Sequence, residues 1–465
     1  MMHADRALDR IDAGPRSSLP AGRAVPAADY WGVRITAVSI LIWLISAAIG
    51  FEAGLTALTV LGFVAAIIGV YRPVLGAIGI ALLCTLDAPS RVLLLTGGIL
   101  RWNTFNYWLL ISLALNAGLV LRMRGLSLRL VQCLALLLVL QLFMSPAVEN
   151  GVQNVLPLVT AMALMAYAWR IAHNREAWFW AAVVSGMVAA VGTPIFYLQR
   201  SQLPYVNPNA YAYFPLTAVF SAMLAFAAGA ATGRRQTFLA ALSALNLAWV
   251  FLTGSRGGLA VGLCCVLFLF LSMRGVGRRM TALAAIATAA LVVSLEFSEL
   301  EFASSHRFSK MADNTETMSA RTSGRSELGA AGWYIFKEHP LGIGTGGFSA
   351  AWAEVSRRGD VPGLSGWHRG VETQAHSAWI KTLAENGIIG GLLLAGFVAS
   401  FAICGLRQRD RLRRRFGLMV SVVIAVAFLS TEFQNKGIWL LASGAVAVLG
   451  PAVPRRGGTV GRARR

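Results

Sequence analysis

The chain has 465 residues, of which 56% are hydrophobic and only 13% charged. Soluble domains are about 25% charged, so an ordinary soluble enzyme and a disordered chain are both excluded. The formal charge of +20 raises the question of a nucleic-acid partner, which the placement of the charges answers.

Residues 1–33 are polar, carry Arg6, Arg10, Arg16 and Arg23, and hold no early apolar run. No cleavable signal peptide is therefore expected, and the first span acts as an uncleaved anchor. Apolar runs near the length needed to cross about 30 Å of hydrocarbon then recur at 34–50, 52–71, 73–87, 105–121, 128–146, 151–170, 177–197, 211–232, 236–252, 257–273, 280–297, 377–404, 416–432 and 437–452. The pattern predicts an all-α polytopic integral membrane protein of twelve to fourteen transmembrane helices; the spread comes from the weak run 73–87 and the connector 88–104. The expected organisation is a cytoplasmic tail at 1–33, about eleven spans over 34–297, a large polar loop at 298–376, about three spans over 377–452, and a basic cytoplasmic tail at 453–465. Cys84, Cys133, Cys264, Cys265 and Cys404 all fall in spans, which predicts buried thiols and no disulfide framework. They show no metal-ligand spacing, and no metal or cofactor is expected.

Alternating the sides from an inner N-terminus puts 27 of the 41 basic residues on the inside, in the two tails and in short connectors such as Arg122/Arg124/Arg129, Arg234/Arg235 and Arg407 to Arg415. That is the positive-inside pattern, so the charge reports topology and no nucleic-acid partner is expected. Both termini fall in the cytoplasm and the long loop falls outside. The loop is not a basic field, because its eight Arg and Lys are matched by nine acids between Glu299 and Glu372. Inverted repeats and mid-span charges, the marks of many carriers, are not evident.

Four outer-face segments carry chemistry. Gln199-Arg200 to Asn207-Pro208-Asn209 includes Tyr205 and reads either as a turn between spans or as a contact for sugar hydroxyls through Tyr205, Asn207 and Asn209. Thr253-Gly254-Ser255-Arg256-Gly257-Gly258 sets a permanent cation among small residues at a span boundary, as a snorkelling anchor or as a ligand contact. In the loop, Arg321 precedes a predicted helix over 325–338 with Arg325 and Glu327 in its first turn, Trp333 and Phe336 on an apolar side, and Pro340 after its end. Arg325 there is either part of an ordinary capped helix and paired to a nearby acid, or a bidentate phosphate ligand aided by a helix N-terminus. Gly342, Gly344 and Gly347 satisfy a dinucleotide-type glycine spacing but follow a helix, not a strand, and are read as a flexible turn, with His339 packed beside Pro340. Finally, His376 in Thr373-Gln374-Ala375-His376-Ser377 stands where the next apolar helix begins, followed by Glu385-Asn386-Gly387; it is either a helix-capping or interfacial histidine or a base titrating near neutrality.

In this order, Asn207-Pro208-Asn209, Ser255-Arg256-Gly257, Arg325 with Trp333 and His339-Pro340-Leu341-Gly342-Ile343-Gly344, and His376 with Glu385-Asn386-Gly387 resemble the O-antigen ligase and polymerase (Wzy-type) superfamily of bacterial envelope glycosyltransferases. The likeness runs from roughly residue 195 to 432; the first 190 residues match only as generic spans. It implies an inverting, metal-independent transfer of glycan from an undecaprenyl-diphosphate-linked donor on the periplasmic face of the inner membrane. Arg256 and Arg325, with Arg321 assisting, are implied to hold the donor diphosphate, and His376 to activate the acceptor hydroxyl. The acceptor is a glycan, a lipid A-core or a polysaccharide, and ligase, polymerase and protein-glycosylating readings all stay open. Ser377 stands where the family often has Asn. A non-catalytic flippase of lipid-linked glycans is the alternative from another class.

Overall fold

A computed structural model describes residues 27–69, 71–93, 125–146, 148–198, 208–253, 255–273, 275, 325–359 and 373–450. Among these the chain is helical and has no strand. Its helices are α1 (Ala27–Ile49), α2 (Phe51–Ile68), α3 (Pro73–Leu93), α4 (Leu126–Leu142), α5 (Val148–Ile171), α6 (Arg175–Leu198) and α7 (Pro208–Ala227), followed by α8 (Arg234–Leu252), α9 (Arg256–Ser272), α10 (Arg325–Glu338), α11 (Phe348–Arg358), α12 (Ala378–Leu406), α13 (Arg411–Ser430) and α14 (Lys436–Leu449).

Twelve of these fourteen correspond to predicted spans. Six are long and apolar enough to cross a membrane by themselves, among them α1, α6 and the 29-residue α12. The predicted spans 105–121 and 280–297, residues 1–26 and the C-terminal tail lie outside the described residues, and the N-terminal boundary is corrected: residues 27–33, assigned to the tail, form the start of α1. The boundary at 88 is corrected: Asp87-Ala-Pro-Ser does not end the span, and α3 runs on to Leu93 with Pro89 inside it. Likewise α13 begins at Arg411, ahead of the predicted 416.

The bundle is organised around α7 and α14. Both are buried on almost every face, from Tyr211 to Ala227 and from Lys436 to Val448. A helix apolar all round is one that others surround, and α7 is packed by α3, α6, α8, α9 and α14. The peripheral helices bury one stripe only. Leu41, Leu44 and Ile45 of α1, Val60 and Val64 of α2, Leu136 and Leu140 of α4, and Ile388, Ile389 and Leu392 of α12 are exposed on the outside of the bundle. A belt of aliphatic side chains on several helices is a surface made for hydrocarbon, not water. The exposure of Cys133 on α4 has the same origin and corrects the expectation that all the thiols are buried; all five are free.

Helices α10 and α11 belong to the polar loop and form a second, smaller core. Leu328, Ala331 and Ile335 of α10 meet Phe348, Trp352 and Val355 of α11 and Ala384 of α12. The buried stripe of α10 is therefore Leu328–Ala331–Ile335, and Trp333, expected on the apolar side, is 51% exposed. Basic side chains cluster at the far end of the bundle. Arg235 pairs with Glu176 at 2.6 Å, joining the starts of α8 and α6, and the Arg415 guanidinium donates to the Leu271 carbonyl at the end of α9.

Leu392 tests the lipid-facing belt, standing at the middle of α12 and 67% exposed. An aspartate there is predicted to cost about 2.5–3.5 kcal/mol of insertion free energy and to lower the yield of membrane-integrated protein. Wild-type yield and melting temperature for Leu392→Asp, as for a water-facing position, would contradict the belt.

Candidate functional site

The first turn of α9 is built by Ser255, whose hydroxyl caps the helix by accepting from the Gly258 N–H at 3.0 Å. This makes Arg256 the first helical residue, half-buried at the bundle end. Gly257 is small because it must be: a Cβ there would collide with the Ser430 side chain at the end of α13. Above it lies Arg325, the first residue of α10, whose Nη1 is 3.9 Å from where that Cβ would stand. Tyr213 of α7 completes the floor, beside Ser430 and within electrostatic reach of Arg325. The Arg325 guanidinium thus lies against the first turn of the helix that Arg256 begins. Helix N-termini carry positive partial charge, and a guanidinium beside one adds to a field that favours an anion.

His376 is positioned from two sides. The helix that follows is capped by Ser377, not by His376. The Ser377 hydroxyl also donates to the Phe428 carbonyl at 3.1 Å, and the Ala378 N–H donates to the Thr431 carbonyl at 2.9 Å. His376 therefore stands just outside the helix, exposed, with φ at 53°, alone among the described non-glycine residues in that region. Its N–H donates to Oε1 of Glu432 at 3.1 Å. The capping alternative for His376 is thereby removed, and Ser377 has a fastening role of its own.

Glu432 and Lys381 carried no signal in the sequence reading, and the structure makes them central. The second oxygen of Glu432 pairs with the Lys381 ammonium, and both side chains are nearly buried. Lys381 also lies within electrostatic reach of Glu385, one turn further along α12. Glu385 is 2% exposed; its two oxygens accept from the Phe348 N–H at the start of α11 and from Asn154 Nδ2 on α5, both at 3.3 Å.

The Glu385-Asn386-Gly387 motif is a docking point. Gly387 breaks α12 with φ at 63°, and the turn after α10 lies against the break. Ile343 N–H donates to the Ala384 carbonyl at 3.1 Å, Gly344 N–H to the Glu385 carbonyl at 3.0 Å, and Ile388 N–H to the Pro340 carbonyl at 3.0 Å. A Cβ on Gly387 would strike the Pro340 carbonyl oxygen, and one on Gly342 the Glu385 carbonyl. Asn386 Nδ2 bonds Thr345 Oγ1 at 2.9 Å and also Gln141 Oε1. The glycine-rich turn is thus pinned, which corrects the reading of it as flexible, and His339 is exposed, not packed. Tyr205, Asn207 and Arg321 lie outside the described residues; Asn209 falls in the first turn of α7.

Removing Glu432 leaves Lys381 buried without its carboxylate, a change worth about 3–5 kcal/mol. Glu432→Ala is predicted to lower the melting temperature of the detergent-solubilised protein strongly, and Glu432→Gln, which keeps an acceptor for the His376 N–H, less so. Equal melting for the two variants and the wild type would show that the bridge holds nothing. Gly387→Ala is predicted to cost at least about 1–3 kcal/mol through its backbone conformation alone, read as a lower melting temperature; an unchanged one would refute the docked turn.

No curated protein matches the chain. Residues 240–395 match the family model described as O-antigen ligase. The match covers about a third of the chain, the stretch that carries Arg256, Arg325 and His376, and over that stretch the chain is similar to the O-antigen ligase family.

Proposed function

We propose that the protein is a metal-independent, inverting glycosyltransferase that moves or polymerises undecaprenyl-diphosphate-linked oligosaccharide on the periplasmic face of the bacterial inner membrane, with both termini cytoplasmic. The observation that carries the reading is Arg325 standing over Gly257, next to Arg256, at the start of two helices. The donor diphosphate binds between these guanidiniums, with Arg321 assisting. The acceptor hydroxyl oxygen attacks the anomeric carbon from the face opposite the diphosphate, and its proton passes to the His376 imidazole. The bond from the anomeric carbon to the diphosphate oxygen breaks, and the diphosphate leaves with the electron pair. Charge accumulates on the leaving group, where the fixed cations stabilise the transition state more than the ground state. Two permanent cations supply the electrostatic work that a divalent ion performs elsewhere.

A flippase places ionisable groups at mid-depth along a path. Among the described residues the buried charges Asp87, Glu327, Lys381, Glu385, Glu432 and Lys436 lie toward the bundle end that holds Arg256, which favours chemistry at one face over passage through the bundle.

The decisive experiment is complementation of a deletion strain, scored on its surface glycans. His376→Ala, properly inserted, is predicted to reduce transfer by about 10²–10⁴-fold, the usual scale of a general base. Arg256→Ala and Arg325→Ala are predicted to lose about 10²–10³-fold, with Lys restoring only part because it cannot form the fork. Chelators are predicted to leave the rate unchanged. Normal polymer from inserted His376→Ala would end this reading. Accumulation of long carrier-linked polymer in the deletion marks a ligase, single-repeat surface glycan an O-antigen polymerase, and loss of secreted polysaccharide with intact lipopolysaccharide an exopolysaccharide polymerase.

A further inference from the structure

A polar cavity of about 230 Å³ opens beside the base of α12, and nothing in the reaction above uses it. Asn150 and Asn154 of α5, Ser349 of α11, Thr373, Gln374 and Gln434 contribute its wall. Lys381 and Glu385 form its floor, and Phe348 adds an aromatic edge. Its volume is many times what one water needs.

The chemistry of the wall selects a ligand. Asparagine, glutamine, serine and threonine each donate and accept hydrogen bonds, as a sugar hydroxyl does. An anion is disfavoured, because the one cation on the floor is matched by Glu432 and Glu385, and a carboxylate repels a second negative charge at this range. The cavity therefore suits a neutral polyhydroxylated ring and not a phosphate.

Its position assigns a role. The five residues from Ser430 to Gln434 run past three features in order. Ser430 abuts Gly257 beneath Arg325, Glu432 holds the His376 backbone, and Gln434 faces the cavity. From the other side, Thr373 and Gln374 reach the cavity just before the chain arrives at His376. The cavity and the arginine pair therefore flank the histidine's anchor along one short segment. We infer that the cavity is the acceptor subsite, holding a sugar ring of the incoming glycan so that its hydroxyl is presented to His376. The inference rests on the glycosyltransferase reading, yet it specifies a surface that reading does not.

The test uses the full-length protein in lipid nanodiscs. Ser349→Cys places a thiol on the cavity wall for a water-soluble maleimide, and Lys337→Cys, exposed on α10, is the control. The probe is a set of neutral oligosaccharides released from the host's own surface polysaccharide, compared with inorganic pyrophosphate. The expected result is slower labelling at position 349 with oligosaccharide, no effect of pyrophosphate there, and no protection at 337. Protection by pyrophosphate instead, or by neither probe, overturns the subsite.

Gln374→Trp and Ser349→Trp, which fill the cavity and leave the arginines, Lys381 and Glu385 unsubstituted, are expected to raise the KM for acceptor by about tenfold with the donor KM unchanged. Melting temperatures equal to wild type identify this as a local effect, and unchanged acceptor KM in these variants sinks the proposal. Transfer by His376→Ala, measured in the same preparation, reports separately on the catalytic reading. If that variant is inactive while the cavity variants behave as wild type, only the subsite fails.

Discussion

One carboxylate sets the geometry on which the site depends. Glu432 has two oxygens and divides them between the His376 N–H and the Lys381 ammonium. The left-handed backbone at His376 costs energy, since a non-glycine residue there is crowded. It persists because the chain on either side is fixed: Ser377 must start α12 and is itself tied to Phe428, and Ala378 is tied to Thr431. A buried ion pair adds little net stability, because desolvation offsets most of the Coulomb gain. What it supplies here is position. The end of α13 dictates where α12 begins, and the histidine is held at the joint between them.

The second constraint is the turn at 339–347 seated on the break in α12. Three backbone hydrogen bonds and two glycines with positive φ make that contact, and it explains why amphipathic helices outside the bundle can hold a residue as precisely placed as Arg325. Helix α10 is short and would be marginal alone. Its stripe Leu328–Ala331–Ile335 packs on α11 and α12, and Glu385 receives the first N–H of α11. The carboxylate thus serves the positive end of a helix while its neighbours Asn386 and Gly387 receive the turn. A loop that reads as separate from the membrane bundle is joined to it through the buried side chains of Glu385 and Asn386 and the backbone of the turn.

The parts of this architecture that were legible in the sequence are those whose cause is local. Apolar run length located twelve helices, and the predicted 325–338 helix stands as Arg325–Glu338. Features whose cause is distant were not legible. Asp87 read as the last residue of a span, with a connector from 88; in the structure α3 continues to Leu93 and the Asp87 Oδ2 accepts from the Lys436 N–H at 3.3 Å, at the start of α14, so the charge serves a packed helix end. Glu432 and Lys381 sit at the edges of spans, where charged residues are ordinary, and their partnership crosses 51 positions. The glycine turn was misread as flexible because its glycines were attributed to freedom, whereas close approach of another backbone requires them.

The position of the two arginines follows from the same logic of helix ends. Water at a membrane boundary weakens the field of a lone cation, and a lone arginine there has an easy alternative in snorkelling toward the headgroups. Half-burial between α9, α10 and α13 limits both escapes. The Arg325 guanidinium lies near Gly257, a residue kept small by the Ser430 side chain, and Ser430 begins the segment that goes on to hold His376. In the proposed reaction the leaving group and the attacking oxygen must approach the anomeric carbon from opposite faces. In that proposal residues 430–434, which abut Gly257 at one end and hold the His376 N–H further along, would fix the separation of the cation site and the base in advance and leave little reorganisation for the step in which the bond breaks.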